Sequence, residues 1–416
     1  MVIERRATVV KGDRPAATLT RTREGVEFAY RADYLADPAN RPVATTLPLT
    51  DTPVRTASGA VPPFFAGLLP EGRRLSTLRR RVKTSADDEF GLLVAVGGDT
   101  IGDVHVVAED AADGGADDGA DDGGAREAST PGASDASGLT VDRDFSEISF
   151  ADVLADGGLV ALPALAGVQE KTSARVISLP VRRRGERFIL KLDPPEYPHL
   201  VENKAFFLGA ARAARLPAVA AGIVRDRDGV PGLLVTRFDR VPGTADAPIP
   251  LAVEDAAQVL GIWPADKYTV SFEEAAAALL AHTPGRAIAA RDLLRQLAFA
   301  WLTGNGDQHA KNLSIAQTSG GEWRLAPAYD LPSTFPYGDA TLALEVAGRD
   351  VLTRAGFASA GARLGLPEAS VARAARWAID ATAGLAARLE GGALPFPPRT
   401  AAKLARLIGR RRDEFG

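Results

Sequence analysis

Three side chains in the C-terminal third of this 416-residue chain have the types and spacing for phosphoryl transfer: Asp307, Asn312 and Asp330. In the run Asp307-Gln308-His309-Ala310-Lys311-Asn312 an acid precedes an amide by five positions. That is the spacing of a phosphoryl-transfer loop, in which the acid accepts the proton of an attacking hydroxyl and the amide helps to hold magnesium. Leu313-Ser314-Ile315 and Trp323-Arg324-Leu325 read as two strands joined through Ser319-Gly320-Gly321-Glu322. Such a hairpin carries Tyr329-Asp330 back beside Asn312, where Asp330 becomes a second metal carboxylate. Two acids and an amide are oxygen donors of the kind a magnesium–triphosphate complex needs. A plainer reading makes the same residues turn and cap residues after a helix.

The elements that must deliver these groups are legible nearby. From Arg291 to Thr303, Leu293, Leu294, Leu297, Ala298, Trp301 and Leu302 fall on one helical face, and Gly304 and Gly306 then break the helix. Phe188-Ile189-Leu190-Lys191-Leu192 places a lysine inside an apolar strand, where it needs a partner. A nucleotide phosphate is one partner, and an edge position that protects the sheet is the alternative. Ahead of it lies Ala166-Gly167-Val168-Gln169-Glu170-Lys171-Thr172, between apolar runs. With one glycine it is neither a Walker loop nor a Gly-rich phosphate loop, yet its amides and Lys171 could meet phosphates. A simple turn with a surface lysine is the plain reading. Residues 201–216 predict a helix with Phe206, Leu208 or Gly209, Ala213 and Leu216 inward. Leu233-Leu234-Val235-Thr236-Arg237-Phe238-Asp239 predicts a strand running into a hinge, where backbone near Thr236 and Phe238 would meet adenine.

Composition narrows the class. The chain has no cysteine and one methionine, which excludes a disulfide framework and thiolate metal sites and fits a cytoplasmic setting. The start from Met1 to Lys11 is charged and lacks an apolar signal core, and apolar runs such as 159–168 are too short to span a bilayer. The net charge of −4 is unevenly placed: residues 109–142 hold ten acidic residues and one basic one. The remainder is mildly basic, which permits weak nucleic-acid contact without demanding it. Four histidines (His105, His199, His282, His309) form no zinc-spaced pair, and no Gly-x-Ser-x-Gly element is present.

Organisation follows from these shifts. Residues 1–107 alternate short β-like runs with turns and predict a β-rich subdomain with a helix or two. Residues 108–142 are a low-complexity acidic segment, unable to bury enough apolar surface to order itself. Residues 143–237 predict a nucleotide-binding lobe with the phosphate loop, and 238–416 a large α-helical lobe carrying Asp307. The basic run after Leu69-Pro70-Glu71 reads as a solvated helix face.

With these pieces placed, the chain resembles the HipA family, serine/threonine kinase toxins of bacterial toxin–antitoxin modules. The resemblance rests on Leu68-Leu69-Pro70-Glu71, Phe90-Gly91-Leu92-Leu93, Ala166-Gly167-Val168-Gln169-Glu170-Lys171-Thr172 and Lys191, then on Arg237-Phe238-Asp239-Arg240, Glu254-Asp255 and Lys267-Tyr268. It is completed by Asp307-Gln308-His309-Ala310-Lys311-Asn312 and Ala328-Tyr329-Asp330. It implies a two-lobed, protein-kinase-like α+β fold. It also implies Asp307 as catalytic base, Asn312 and Asp330 as magnesium ligands, and Lys191 on the ATP phosphates. Ala166, Gly167, Val168, Gln169, Glu170 and Lys171 would cover those phosphates, with Thr236, Phe238, His309, Lys311 and Tyr329 completing the nucleotide site. The partners it implies are a helix-turn-helix, HipB-like antitoxin and an aminoacyl-tRNA synthetase as substrate, with operator DNA met only weakly or indirectly.

Two departures qualify the likeness. Where family members carry an autophosphorylated serine before the loop, this chain reads Pro163-Ala164-Leu165. Where the first helix of the lobe usually opens Asn-Glu, this chain has Asn203-Lys204, which leaves Glu202 as the glutamate to orient Lys191. Both motivate a second expectation, a weakly active nucleotide-binding co-repressor. A small-molecule phosphotransferase of the aminoglycoside type shares the Asp-x4-Asn loop but accounts for neither the N-terminal domain nor Gln169-Glu170-Lys171.

Overall fold

Alternation at period two builds the first sheet. Ala7, Val9, Ala17, Leu19, Val26, Phe28, Val104 and Val106 are buried, and the register sets Ala7 against Leu19, Leu19 against Phe28 and Val9 against Val106. Successive side chains on a strand point to opposite faces, so one face becomes a core while the other meets solvent. The strands are β1 (Arg5–Lys11), β2 (Arg14–Arg21), β3 (Gly25–Tyr30), β4 (Val54–Ala57) and β5 (Val104–Ala108), in the order β4-β3-β2-β1-β5. Between them come α1 (Ala32–Leu35), α2 (Pro63–Leu68), α3 (Gly72–Val82) and α4 (Glu89–Val96). Phe64 and Phe65 of α2 and Phe90 and Leu93 of α4 cap the apolar face. The computed structural model describes residues 5–82, 85, 88–98, 100–109, 139–140, 144–156, 177–183, 186–243 and 248–416. The acidic stretch expected to be disordered falls almost wholly outside the described residues.

A second five-stranded sheet, ordered β6-β7-β8-β10-β9, forms the small lobe. It comprises β6 (Leu139–Thr140), β7 (Ile177–Arg183), β8 (Glu186–Leu192), β9 (Ala221–Arg225) and β10 (Pro231–Thr236), with α5 (Phe150–Asp156) and α6 (Leu200–Ala213). Strand β8 is paired on both sides, with Ser178 and Leu233 flanking Lys191. The edge-strand reading of Lys191 is therefore wrong, and its charge must be met from outside the sheet. Leu190 and Leu192 point to a small core with Phe145, Phe150, Ile177 and Val181, while Ile189 and Lys191 line a cleft on the other face.

Helix α6 buries Phe206, Phe207, Leu208, Ala210 and Ala211 but leaves Gly209 and Ala213 exposed, so the inward set expected from the sequence was partly out of phase. The helix is buried around much of its circumference, and a broad apolar belt gives no sharp period to read.

The chain then passes through β11 (Arg240–Val241), β12 (Ile249–Pro250) and β13 (Val253–Asp255) to α7 (Ala256–Leu260), α8 (Phe272–Ala281) and α9 (Arg286–Thr303). Helix α9 contributes Leu293, Leu294, Leu297, Ala298 and Trp301 to one core and Phe299 to another, as the central helix of the large lobe must. Strands β14 (Ser314–Gln317) and β15 (Trp323–Leu325) form the expected hairpin, and β13 joins them on the far side of β14. Helices α10 (Arg354–Arg363), α11 (Glu368–Ala381), α12 (Leu385–Glu390) and α13 (Pro398–Phe415) complete the lobe. Among the described residues, no helix is long and apolar enough to cross a membrane.

Candidate active site

The loop after α9 is shaped by its own polar groups. Gly304 ends the helix in the left-handed conformation, φ 72°, and a Cβ there would lie 2.8 Å from Leu407. The Asn305 side chain then accepts from the Asp307 amide at 2.9 Å, and Gly306 N–H donates to Thr334 Oγ1 at 2.7 Å. Asn312 closes the loop, its Nδ2 donating to the Asp307 carbonyl at 2.7 Å. With its nitrogen so committed, the Asn312 amide presents its oxygen on the opposite side. The five-residue spacing thus works as a closed ring that ties acid to amide.

Asp330 arrives from the hairpin. The return segment is stitched to the α6–β9 connection by Ala328 N–H to Pro217 O at 2.8 Å and Val219 N–H to Ala328 O at 3.0 Å. Asp330 itself has φ 53°, a left-handed conformation that Asp tolerates better than most residues. Two ammonium groups hold its Oδ1: Lys191 Nζ at 3.2 Å, and Lys204 Nζ in a direct hydrogen bond. Asn203 fixes the segment beyond, donating to Ser333 O at 2.8 Å and accepting from Ser333 N–H at 2.9 Å.

These groups face a cleft of about 360 Å³ between the two lobes. Lys191, Thr236, Phe238, Lys311, Asn312, Tyr329 and Asp330 all lie on its wall. The Phe238 and Tyr329 rings stack, with centroids 5.9 Å apart, and the Tyr329 hydroxyl donates to Lys311 O at 2.7 Å. Asp307 and His309 are buried and do not line the cleft. Asp307 Oδ1 instead accepts from the Tyr268 hydroxyl at 3.3 Å and lies 3.9 Å from His309 Nε2, and the Tyr268 and His309 rings meet edge to face. Residues 166–171, expected over the phosphates, lie outside the described residues, as does the segment 163–165.

The N-terminal domain also reaches this cleft, which the sequence reading did not foresee. Leu69, Pro70, Thr100 and Ile101 stand on its wall. Lys311 donates to Gly67 O at 3.0 Å and to Asp255 Oδ2 at 2.8 Å, and Glu71 pairs with Lys267. Arg237 and Arg240 both donate to Thr100 O, at 2.7 and 2.9 Å, while Asp239 accepts from the Gly102 amide at 3.0 Å. Gln258 Nε2 donates to Phe64 O at 2.9 Å, and Glu254 accepts from Thr45 N–H and Oγ1 at 2.9 and 2.6 Å. Motif residues without a role in the sequence are thus the fasteners between domains.

Electrostatics follow burial. Burial pulls the Lys204 ammonium below its usual range, while Asp330 works against that. Burial also acts on Lys311, but Asp255 and Glu71 outweigh it and raise its pKa. Tyr268 is pushed up by burial and then by the Asp307 carboxylate beside it, so it stays a protonated donor. Burial raises Asp239, yet the hydrogen bond and charge of Arg237 bring it below the ordinary carboxylate value. Burial pushes Glu254 up to about 7, against the two hydrogen bonds it accepts from Thr45.

Comparison with known proteins adds to this geometry. Residues 7–107 match the model of the HipA N-terminal domain, and residues 163–385 that of the HipA-like C-terminal domain. The chain belongs to the HipA family. It is 31% identical over 351 residues to a putative kinase, Y4dM, of Sinorhizobium fredii, covering 79% of this chain and 78% of the relative. The serine/threonine-protein kinase toxin HipA of Shewanella oneidensis is 26% identical over 319 residues, covering 72% and 68%. The fold is that of the Shewanella oneidensis protein in its structure with HipB and operator DNA, with a TM-score of 0.72 at 22% identity over 98% of this chain and 96% of that one.

Set against the HipA-family pattern, the glutamate substitute proposed for Lys191 does not serve. Glu202 lies 3.4 Å from His199 Nδ1, and the acid that meets Lys191 is Asp330. Tyr268, Asp255 and Glu71, quoted only within the family motifs, and Lys204, noted only as a departure, are the site residues to which sequence reasoning gave no role. Lys204 carried a usable signal: three and four residues to either side of it on a helix stand Leu200, Val201, Phe207 and Leu208, and an ammonium on so apolar a face needs an acid.

Proposed function

We propose that this HipA-family chain is a serine/threonine kinase that transfers the γ-phosphate of ATP to a protein hydroxyl. The observation that carries the reading is the convergence of Lys191, Asn312 and Asp330 on one cleft, with Asp307 tied to Asn312 through its own carbonyl. An amide oxygen and a carboxylate are hard oxygen donors that suit magnesium. Asn312 and Asp330 are the residues that would hold it. Bound there, the ion would neutralise phosphate charge as the transferring group develops it.

The chain's own groups do the rest. Lys191 offers a charged donor on the cleft wall. Phe238, stacked on Tyr329, gives an apolar surface for a base. Because the Thr236 amide is already given to Ala220 O at 2.9 Å, Phe238 is the better placed of the two hinge positions expected to meet adenine. Asp307 accepts the proton of the acceptor hydroxyl once that hydroxyl takes the place of Tyr268 on Oδ1. Positioning and charge then supply most of the acceleration.

The substrate we propose is a serine or threonine of a translation factor, with an aminoacyl-tRNA synthetase the leading candidate. The partner is a small helix-turn-helix antitoxin of the HipB kind, the class of complex in which the Shewanella structure was solved. Transfer of labelled phosphate from ATP to protein in a lysate tests the reading. Asp307→Ala and Asp330→Ala should each reduce it to background, and retained transfer in both variants would rule the assignment out. A second reading, a nucleotide-binding co-repressor with weak turnover, draws on the double lysine grip on Asp330. Calorimetry that detects ATP binding without phosphotransfer would favour it.

A further inference from the structure

The loop that carries Asp307 and Asn312 is not held by its own lobe alone. Helix α2 of the N-terminal domain lies close against α7 of the large lobe. A Cβ on Gly67 would stand 2.7 Å from Gln258 Cγ, and Gln258 Nε2 donates to Phe64 O at 2.9 Å. At that approach the Gly67 carbonyl accepts from Lys311, inside the loop itself, at 3.0 Å. Helix α2 then ends at Leu68, Leu69 is extended, and Pro70 fixes its own φ while keeping Leu69 out of the helical region. Leu69 and Pro70 line the cleft, so the chain delivers Glu71 from the cleft wall on a short, stiff connection.

Glu71 meets two lysines, both attached to that loop. One carboxylate oxygen bonds Lys267, and the other, buried, lies 3.9 Å from Lys311 Nζ. Lys267 is joined to the loop by its carbonyl, which accepts the Ala310 N–H at 3.2 Å. Lys311 precedes Asn312, whose side chain closes the ring on the Asp307 carbonyl. The two lysines are not equally provided for. Lys311 keeps Asp255 at 2.8 Å whatever becomes of Glu71. Among the described residues Glu71 is the acid in ion-pair contact with Lys267, whose side chain is only 9% exposed. Breaking a buried pair from one side strands the other charge, which costs more than the intact pair contributes. The relief open to Lys267 is to move towards solvent, and its carbonyl would draw Ala310 with it.

Resting on the reading of this loop as the phosphotransfer centre, we propose that Glu71 is a positioning residue: an acid from the N-terminal domain that holds Lys267 and, through it, the backbone between Asp307 and Asn312. It touches no reacting atom. The N-terminal domain is then part of what sets the rate, and not only a wall of the cleft.

The test is transfer of labelled phosphate from ATP to lysate protein by the full chain, in excess magnesium, with ATP varied at a fixed amount of lysate. Glu71→Gln should lower the apparent kcat per folded molecule at least about tenfold, as small displacements of reacting groups do. Its KM for ATP should stay within about threefold of wild type, because the change falls on the rate and not on nucleotide binding. Lys267→Met should cause a similar loss, and the double variant no more than the larger single loss, since both cut one tie. Thr45→Val, which removes a hydroxyl bond to Glu254 elsewhere on the same seam, should keep the wild-type kcat. A smaller loss from Glu71→Gln overturns the proposal, as does a KM shifted beyond that range. So do losses that multiply in the double variant, or an equal loss in Thr45→Val, the mark of a seam that matters only as a fastener. Should Glu71→Gln fail to fold, Lys267→Met decides the matter, because it cuts the same tie and leaves no buried ammonium behind. No transfer by the wild-type chain would instead overturn the kinase reading, and this inference with it.

Discussion

Two five-stranded sheets in this molecule use their interior strands in opposite ways. In the first, β2 sends Ala17 and Leu19 into a closed core and keeps its arginines at the strand ends, Arg14 and Arg21. In the second, β8 buries Leu190 and Leu192 on one face and turns Lys191 to the other. The first sheet's charges are met inside its own domain, Arg14 by Asp37 and Arg21 by Asp88. The second places an ammonium on an interior strand, where desolvation is costly unless an acid is supplied. Here the acid comes from Asp330, on a segment of the other lobe. A sheet that buries only apolar groups serves as a scaffold, whereas one that carries an unmatched charge is half of a site.

Substitutions on the two interior faces should therefore separate function from stability. The largest effect is expected from Lys191→Met, which should lower the phosphotransfer rate roughly 10³-fold, a loss typical of removing a preorganised charge. Thermal unfolding should change little, because Lys204 still holds Asp330. A large drop in melting temperature with activity retained in the folded fraction would break the contrast. Phe28→Ala in the first sheet should do the reverse. It should destabilise the N-terminal domain by about 3–5 kcal/mol, as aromatic truncations in packed cores do, while the cleft of the remaining folded protein binds ATP as before.

The smallest effect concerns the seam between the two parts. Glu254 is pushed up to about 7 from a reference value of 4.5, so it binds its proton more tightly folded than unfolded. Its stabilising contribution is complete below about 4.5 and fades as pH rises through 7. Glu254→Gln, which keeps the shape and cannot ionise, should flatten the dependence of melting temperature on pH across that window. An unchanged slope would mean that the Thr45–Glu254 contact does not govern the seam.

Much of this was legible in the chain itself. The hairpin at residues 313–325, the buried helix ahead of Asp307 and the short β-like runs of the first sheet are all local patterns, set by bonds and packing within a few residues. The likeness to the HipA family was legible too, because its motifs recur in order along the chain. Beyond the phase of α6, what the sequence misjudged turns on contacts between remote segments. The edge-strand alternative for Lys191 failed because β10 pairs with β8 across an intervening helix and strand. Glu202 failed as a partner because α6 turns it toward His199 and turns Lys204 toward Asp330.

By itself, then, the sequence determined the closed Asp307–Asn312 loop, the strands and helices that carry it, and the family to which the chain belongs. Only the tertiary structure decided which charges meet. Lys204 finds an acid 126 positions away, and Lys267 finds Glu71 of the N-terminal domain 196 positions away. A backbone pattern repeats within a few residues and can be read along the chain. An ion pair depends on where two remote segments are packed, and no local period encodes that.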